Sequence, residues 1–203
     1  LSQKDIGLIK FLARGCSSGD WDDVVNTLLT DLTSAEEANN ILKWAKNMPT
    51  HWTPFSHAQI TMRETIPIFV ARQRFKHTVG FTYNEVSRRY VDDTPEFHKP
   101  SEWRSRPDKS IKQGSSSNIV HHLKGDGSQF VGGHYMDFIE EAKDLYQKMI
   151  ESGVAPEQAR MILPQSMLTS YWVTGSLYAW ANAYIQRSDS HAQREIQELA
   201  SQW

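Results

Sequence analysis

The sequence has little cysteine and no large excess of charge of either sign, and each of these two properties excludes some classes of protein. A single cysteine, Cys16, among 203 residues excludes an internal disulfide framework and a metal site built from clustered cysteines. The formal net charge of −2 at pH 7, with both signs well mixed, argues against a protein that coats duplex nucleic acid. A local basic cluster is therefore expected to bind a specific anion.

Two further absences concern membranes and metals. No apolar run approaches the roughly 18 residues that a transmembrane helix needs, and no charged-then-apolar leader opens the sequence. We therefore expect a cytoplasmic protein with no membrane partner. No metal is expected either, because five histidines lack both the i, i+4 pairing and the accompanying carboxylates of a zinc site: His51, His57, His121, His122 and His134.

What is present is a mixture of many helical patterns and few strand patterns. Strands are predicted over 58–66 and 167–174, and Pro67 is expected to open a helix. Further helices are predicted behind a Ser2–Asp5 capping box, from Pro156, and over 20–32, 33–48, 134–151, 177–186 and 190–199. We expect an α+β fold in which a small central, mostly antiparallel sheet is flanked by helices, in a single domain of residues 1–203.

Two further segments stand out, one by its composition and the other by its place at the start of the sequence. Residues 92–129 are rich in proline, serine, glycine, lysine and aspartate, which predicts a long flexible surface loop that can close over a ligand. The chain opens directly in a helical pattern without a methionine, so we expect a trimmed N-terminus.

The segment Gln73–Tyr90 concentrates polar chemistry that a core element would not need. It offers phosphate-pairing charge at Lys76, Arg88 and Arg89, and directional hydrogen bonds at Asn84 and Glu85. Its residue pattern is interpreted as two helical turns, with Ser87 at a loop-to-helix junction. The segment is therefore expected to bind a phosphorylated, hydrogen-bonding ligand.

This segment resembles the signature of the flavin-dependent thymidylate synthases. That signature reads Arg-His-Arg, seven residues and Ser, with Asn-Glu just before the serine and Arg two residues after it. The present chain reads Lys76-His77-Thr78, eight residues and Ser87, with Asn84-Glu85 and Arg89 in place.

Three further elements occur in the order of that family. The segment 51–57, His-Trp-Thr-Pro-Phe-Ser-His, resembles a His-x-Ser-Pro-Phe-x-His element. The segment 160–164 resembles Arg-x-x-Leu-Pro, and Arg187 with residues 192–196 resembles a Leu-Arg element followed by Ala-Gln-x-Glu-Ile. The sequence is therefore identified as a divergent member of the family, in which residues 15–50 look like a helical insertion.

The resemblance implies an FAD-dependent enzyme that converts dUMP to dTMP. Methylenetetrahydrofolate would give the one-carbon unit, NADPH would reduce the flavin, and the sites would lie between subunits of a homotetramer. Arg187 is implied as the catalytic residue that polarises the pyrimidine. The implied dUMP contacts are Gln73, Glu85, Ser87, Arg89, Arg160 and Arg187. The implied FAD contacts are Thr53, Lys76, His77, Thr78, Glu85, Ser176, Tyr178 and Asn182.

Alternatives remain open. The chain departs from the family pattern at Lys76, Thr78, Ser176 and Tyr178, so one rival is a non-catalytic nucleotide-binding relative with a weakened flavin site. A second rival is a single-stranded nucleic-acid binder, which the near-neutral composition disfavours; no nucleic acid is expected as a partner. Taken singly, Arg88 and Arg89 fit a solvated helix face, and His77 fits a surface histidine.

Overall fold

A computed structural model describes residues 2–14, 34–47, 52–109 and 114–203. The described helices are numbered in chain order, and a 3₁₀-helix, Arg160–Ile162, follows the sixth of them. They are α1 Gln3–Arg14, α2 Ser34–Asn47, α3 Pro54–His57, α4 Ile68–Arg74, α5 Val131–Glu151, α6 Pro156–Ala159, α7 Leu177–Ser188 and α8 Arg194–Ala200. The described strands are β1 Gln59–Pro67, β2 Phe81–Glu85, β3 His122–Leu123, β4 Asp126–Phe130 and β5 Leu168–Ser176.

Strands β1, β5 and β2 form a three-stranded sheet in that order. The side-chain oxygens of Thr61 and Thr174 lie 2.9 Å apart, and those of Thr65 and Ser170 lie 2.7 Å apart. The partner's number falls by four as the residue number rises by four, so β1 and β5 are antiparallel. Strands β3 and β4 form a separate antiparallel pair. The α+β prediction with a small antiparallel sheet is confirmed.

The chain divides into two compact units. Unit 1 holds residues 1–63, 75–83 and 172–203, and unit 2 holds residues 64–74 and 84–171. The single domain expected from the length stays a prediction.

Helices α1, α2, α3 and α7 build the core of unit 1. Ile9, Ile41 and Phe55 are buried at 0%, 2% and 1% exposure and pack with Ala181. Burying large apolar side chains of this kind contributes about 1.5–3 kcal/mol each. In the same unit, a Cβ at Gly175 would lie 2.3 Å from the Phe81 ring. Only glycine lets β5 approach that ring.

Unit 2 has an amphipathic helix and a buried ion pair. Along α5 the buried residues Ile139, Ala142 and Tyr146 recur at helical spacing. Between β1, the end of α4 and β5, the Arg74 guanidinium lies 3.1 Å from the carboxylate of Glu64. The Tyr171 hydroxyl donates a short hydrogen bond to the same carboxylate.

Several local predictions are confirmed with shifted ends. The Ser2–Asp5 capping box forms, with the Asp5 N–H donating to Ser2 Oγ at 3.2 Å, and the serine's hydrogen bonds lower the pKa of Asp5. The helix over 33–48 is α2, whereas Cys16, His51 and the helix over 20–32 lie outside the described residues. The final helix begins at Arg194 instead of residue 190.

One local prediction is shifted by a residue and one is wrong. The helix predicted to open at Pro67 is α4, which starts at Ile68, directly after Pro67 has ended β1. The helical interpretation of Gln73–Tyr90 fails after α4, because residues 81–85 form β2, whose hydrogen-bonding partner is β5. Ser87 therefore follows a strand and stands at a turn.

The segment 92–129 is attached to its surroundings at several points. The Leu168 N–H donates to the Glu96 carbonyl oxygen at 2.8 Å, and the His98 N–H donates to the Ser166 carbonyl oxygen at 2.9 Å. Its described residues include β3 and most of β4. The closing motion expected of this segment stays a prediction.

Candidate functional site

A cavity of about 310 Å³ lies in unit 2. It forms where β2 ends, beside β5 and the 3₁₀-helix. Its wall combines cationic, anionic, hydroxyl and apolar groups, which are Ile68, Glu85, Val86, Ser87, Arg88, Arg160, Met161, Leu163, Met167 and Thr169. This volume is at the lower end of the range for small-molecule sites.

The strand pairing fixes one side of the cavity. The Val86 N–H donates to the Ser170 carbonyl oxygen at 3.0 Å, which continues the attachment of β2 to β5 past the last strand residue. The Thr169 hydroxyl donates to Glu85 Oε1 at 2.6 Å. The turn with Ser87 thus starts from an anchored strand end.

A second side comes from the short helices after α5. Proline at the first position of α6 sets the entry to this turn, and the 3₁₀-helix that follows begins with Arg160. The Arg160 side chain is exposed, and its Nε donates to the Glu157 carbonyl oxygen at 3.2 Å. This contact uses one of the five guanidinium N–H groups.

The two neighbouring arginines, Arg88 and Arg89, are placed differently. Arg88 lines the cavity with its side chain 15% exposed, and one guanidinium nitrogen lies 2.7 Å from the Asp93 carboxylate. Arg89 is exposed; its Nε lies 3.4 Å from Ser87 Oγ and its guanidinium lies 5.0 Å from the Tyr90 ring centre. The cavity wall therefore holds Arg88, whereas the resemblance pointed to Arg89.

In unit 1 a second group of candidates meets at one hydrogen bond. Arg187, in the last turn of α7, donates from Nε to His77 Nε2 at 2.8 Å. An imidazole nitrogen that accepts a hydrogen bond carries no proton, so this geometry requires a neutral His77 protonated at Nδ1. The Tyr83 hydroxyl donates to the His77 carbonyl oxygen at 2.7 Å and fixes the loop.

The loop that carries His77 packs closely on the start of α7. Gly80 has φ +76°, and a Cβ there would lie 2.9 Å from Ala179 Cβ. The Ser176 N–H donates to the Gly80 carbonyl oxygen at 3.1 Å, and Ser176 Oγ accepts from the Ala179 N–H at 3.2 Å. The buried Ser176 hydroxyl is therefore the N-cap of α7.

The remaining candidates for the cofactor are surface groups around α3 and α7. Thr53 is exposed just before α3, and Asn182 is half-buried on α7. The Tyr178 ring centre lies 5.8 Å from that of Trp52, which is 42% exposed. Lys76 and Thr78 are exposed on either side of His77. An aromatic surface and a cation fit the planar ring and the phosphates of a flavin dinucleotide.

The structure thus brings together only part of each predicted set. The cavity collects Glu85, Ser87 and Arg160, while Gln73 and Arg89 do not line it. Sequence reasoning missed Thr169 as a lining residue, because only the pairing of β2 with β5 brings it beside Glu85. For Arg88 the signal was available, since it lies in the basic cluster.

In the described part of the chain, no group of three or more histidine, cysteine, aspartate or glutamate residues could hold a metal ion. No helix there combines the length and the apolar character that crossing a membrane requires.

A cavity with guanidinium, carboxylate and hydroxyl groups in its wall suits a small anionic, hydrogen-bonding ligand. The family model described as "Thymidylate synthase complementing protein" matches residues 2–203. The chain belongs to this family, which confirms the resemblance seen in its motifs.

Three similar proteins are named flavin-dependent thymidylate synthase. The protein from Thermosipho melanesiensis is 37% identical over 153 residues, covering 74% of this chain and 63% of the relative. The protein from Thermotoga neapolitana is 33% identical over 150 residues, covering 74% and 62%. The protein from Tropheryma whipplei TW08/27 is 31% identical over 214 residues, covering 98% and 70%. The chain therefore spans somewhat less than two thirds of the length of the first two.

Proposed function

We propose that this protein is a flavin-dependent thymidylate synthase that converts dUMP to dTMP. The cofactor would be FAD, with methylenetetrahydrofolate as one-carbon donor and NADPH as reductant. The observation that carries the proposal is the cavity of about 310 Å³, whose wall offers two guanidinium groups, a serine hydroxyl and a carboxylate. The names of the relatives support the same assignment.

The cavity is proposed to bind dUMP. Arg160 and Ser87 would bind its phosphate, because a guanidinium pairs with phosphate through charge-assisted hydrogen bonds. Arg88 adds positive charge to the wall, partly compensated by Asp93. Arg89 and Gln73, which do not line the cavity, would join the dUMP site from its margin.

Arg187 is proposed as the catalytic residue. Thymidylate synthesis requires the uracil C5 to become nucleophilic, and a guanidinium that is always charged stabilises the negative charge developing on the pyrimidine. The bond to His77 Nε2 at 2.8 Å holds this guanidinium in one orientation. An oriented charge needs no reorganisation at the moment of reaction.

The flavin set is proposed to comprise surface groups and one structural residue. Thr53, Lys76, His77, Thr78, Glu85, Tyr178 and Asn182 would contact FAD, and Ser176 would act by capping the helix that carries Tyr178 and Asn182. Once bound and reduced by NADPH, the flavin would supply the hydride that completes the methyl group. The sites are proposed to be completed in a homotetramer of this 23.3 kDa chain.

The test is spectroscopic and chemical. The purified protein is expected to show flavin absorbance and to form dTMP from dUMP, methylenetetrahydrofolate and NADPH, with a native mass of four chains. A colourless protein that neither takes up FAD nor forms dTMP would refute the proposal. Retained dUMP binding without flavin absorbance would instead indicate the non-catalytic relative.

A further inference from the structure

One hydrogen bond in the cavity wall joins two residues 84 positions apart in the sequence. The hydroxyl of Thr169, in β5, donates to Glu85 Oε1 at 2.6 Å. Thr169 is 8% exposed, whereas Glu85 is exposed at the end of β2. Both line the cavity. A buried donor on a strand therefore holds an exposed carboxylate in the wall of the candidate site.

This hydrogen bond assigns one role to each group. A threonine hydroxyl has a single proton, so the Thr169 hydroxyl is the donor and Glu85 Oε1 is the acceptor. Within the described residues Glu85 Oε2 has no hydrogen-bond partner. The branched Cβ of threonine also restricts its χ1 rotamer, so the direction of the donated proton is well defined.

The charges of the wall indicate which part of a ligand Glu85 faces. A carboxylate repels a phosphate, and the guanidinium groups of Arg88 and Arg160 attract it. Glu85 therefore suits a neutral N–H or O–H donor on the nucleoside part of a nucleotide. Its position matters because a hydrogen bond weakens steeply as its geometry departs from the optimum.

We propose that Thr169 is a positioning residue for nucleotide binding, which holds Glu85 so that Oε2 accepts a hydrogen bond from the nucleoside part of dUMP. The proposal rests on the proposed function. Thr169 does not itself contact the reacting atoms; it acts through Glu85.

The experiment compares variants that differ by a hydroxyl. Thr169→Val keeps the shape and removes the donor, and Thr169→Ser keeps the donor. Calorimetric titration with dUMP is expected to give about a tenfold higher Kd for Thr169→Val, the size of one lost hydrogen bond, and less than threefold for Thr169→Ser. The KM for dUMP should rise with little change in kcat.

A matched control and a double variant separate positioning from general damage. Thr174→Val makes the same change in β5 at a residue that pairs with Thr61 and does not line the cavity, so its Kd for dUMP should equal that of the wild type. In a Glu85→Ala background, Thr169→Val should have no further effect on Kd. Thermal midpoints of all variants verify folding.

The outcomes distinguish this proposal from the broader one. Wild-type protein that fails to bind dUMP overturns both the proposed function and the role of Thr169. Wild-type protein that binds dUMP, with Thr169→Val binding equally well or adding its full effect to Glu85→Ala, overturns the positioning role alone.

Discussion

The two units hold their candidate residues in different ways. In unit 2, Glu85, Ser87 and Arg160 line one cavity built on a strand end and a short helix. In unit 1, the candidates other than the buried Ser176 are exposed or half-buried groups, and the hydrogen bond from Arg187 to His77 joins two of them directly. The cavity proposed for the nucleotide is thus formed by the fold of unit 2 itself, whereas most of the groups proposed for the cofactor in unit 1 are open to solvent.

The supporting contacts differ in the same sense. Unit 2 contains the Glu64–Arg74 pair, with side chains 4% and 0% exposed. The loop of unit 1 is held instead by Gly80 and the hydroxyl of Tyr83. Buried charge thus contributes to unit 2, whereas the His77 loop of unit 1 is held by backbone conformation and close packing.

The largest expected effect is on the buried pair. Arg74→Met leaves the Glu64 carboxylate without its countercharge, and breaking a buried pair costs about 3–5 kcal/mol. The free energy of unfolding, measured with urea, should fall by that amount. Arg194→Met, in an exposed i, i+4 pair with Glu198, should cost about 0.5 kcal/mol or less. Equal losses in the two variants would contradict the expected difference between the buried and the exposed ion pair.

The next effect concerns Arg187. Arg187→Ala should lower kcat for dTMP formation by about 10²–10³, the size expected when a preorganised electrostatic donor is removed. Arg187→Lys should restore little, because an ammonium does not reproduce the planar guanidinium. Full activity of the lysine variant would show that charge alone suffices. Circular dichroism serves to verify that both variants fold.

The third effect tests the backbone of the His77 loop. Gly80→Ala should cost about 2–4 kcal/mol of unfolding free energy, because it adds a close contact with Ala179 to the strain of a left-handed residue. Gly153→Ala is the matched control, since Gly153 has φ +83° but open space around its Cβ position. It should cost about 1–2 kcal/mol. Identical costs would mean that the close packing is not limiting.

The smallest effect is a pH dependence at the end of the helix that carries Arg187. Hydrogen bonds from the His191 backbone N–H and side chain lower the pKa of Asp189 below its ordinary 3.8. A carboxyl group whose pKa is lower in the folded state than in the unfolded state stabilises the fold at pH values above its unfolded-state pKa. This contribution is lost as the pH falls through the folded-state pKa. Asp189→Asn should therefore lower the urea midpoint slightly at pH 6. At a pH below the folded-state pKa of Asp189, the substitution should leave the urea midpoint unchanged. A loss independent of pH would contradict this origin.

Local patterns predicted the helices better than they predicted the site. The capping box at Ser2 and the amphipathic spacing of α5 are properties of neighbouring residues, so the sequence reveals them. Strand β2 was mistaken for helix because its five residues gain their hydrogen bonds from β5. The contacts of Arg187 with His77 and of Thr169 with Glu85 join residues 110 and 84 positions apart. The spacing of residues along the sequence does not predict such long-range contacts.

The strand order also determines when the sheet can form during synthesis of the chain. Strand β5 lies between β1 and β2, and its partner residues in β1 are 105 and 113 positions earlier. During synthesis β1 and β2 therefore leave the ribosome long before the strand that pairs with both. Contacts of such sequence separation slow folding, and unpaired strand edges favour aggregation. The nascent chain is expected to need chaperone protection until residue 176 has emerged.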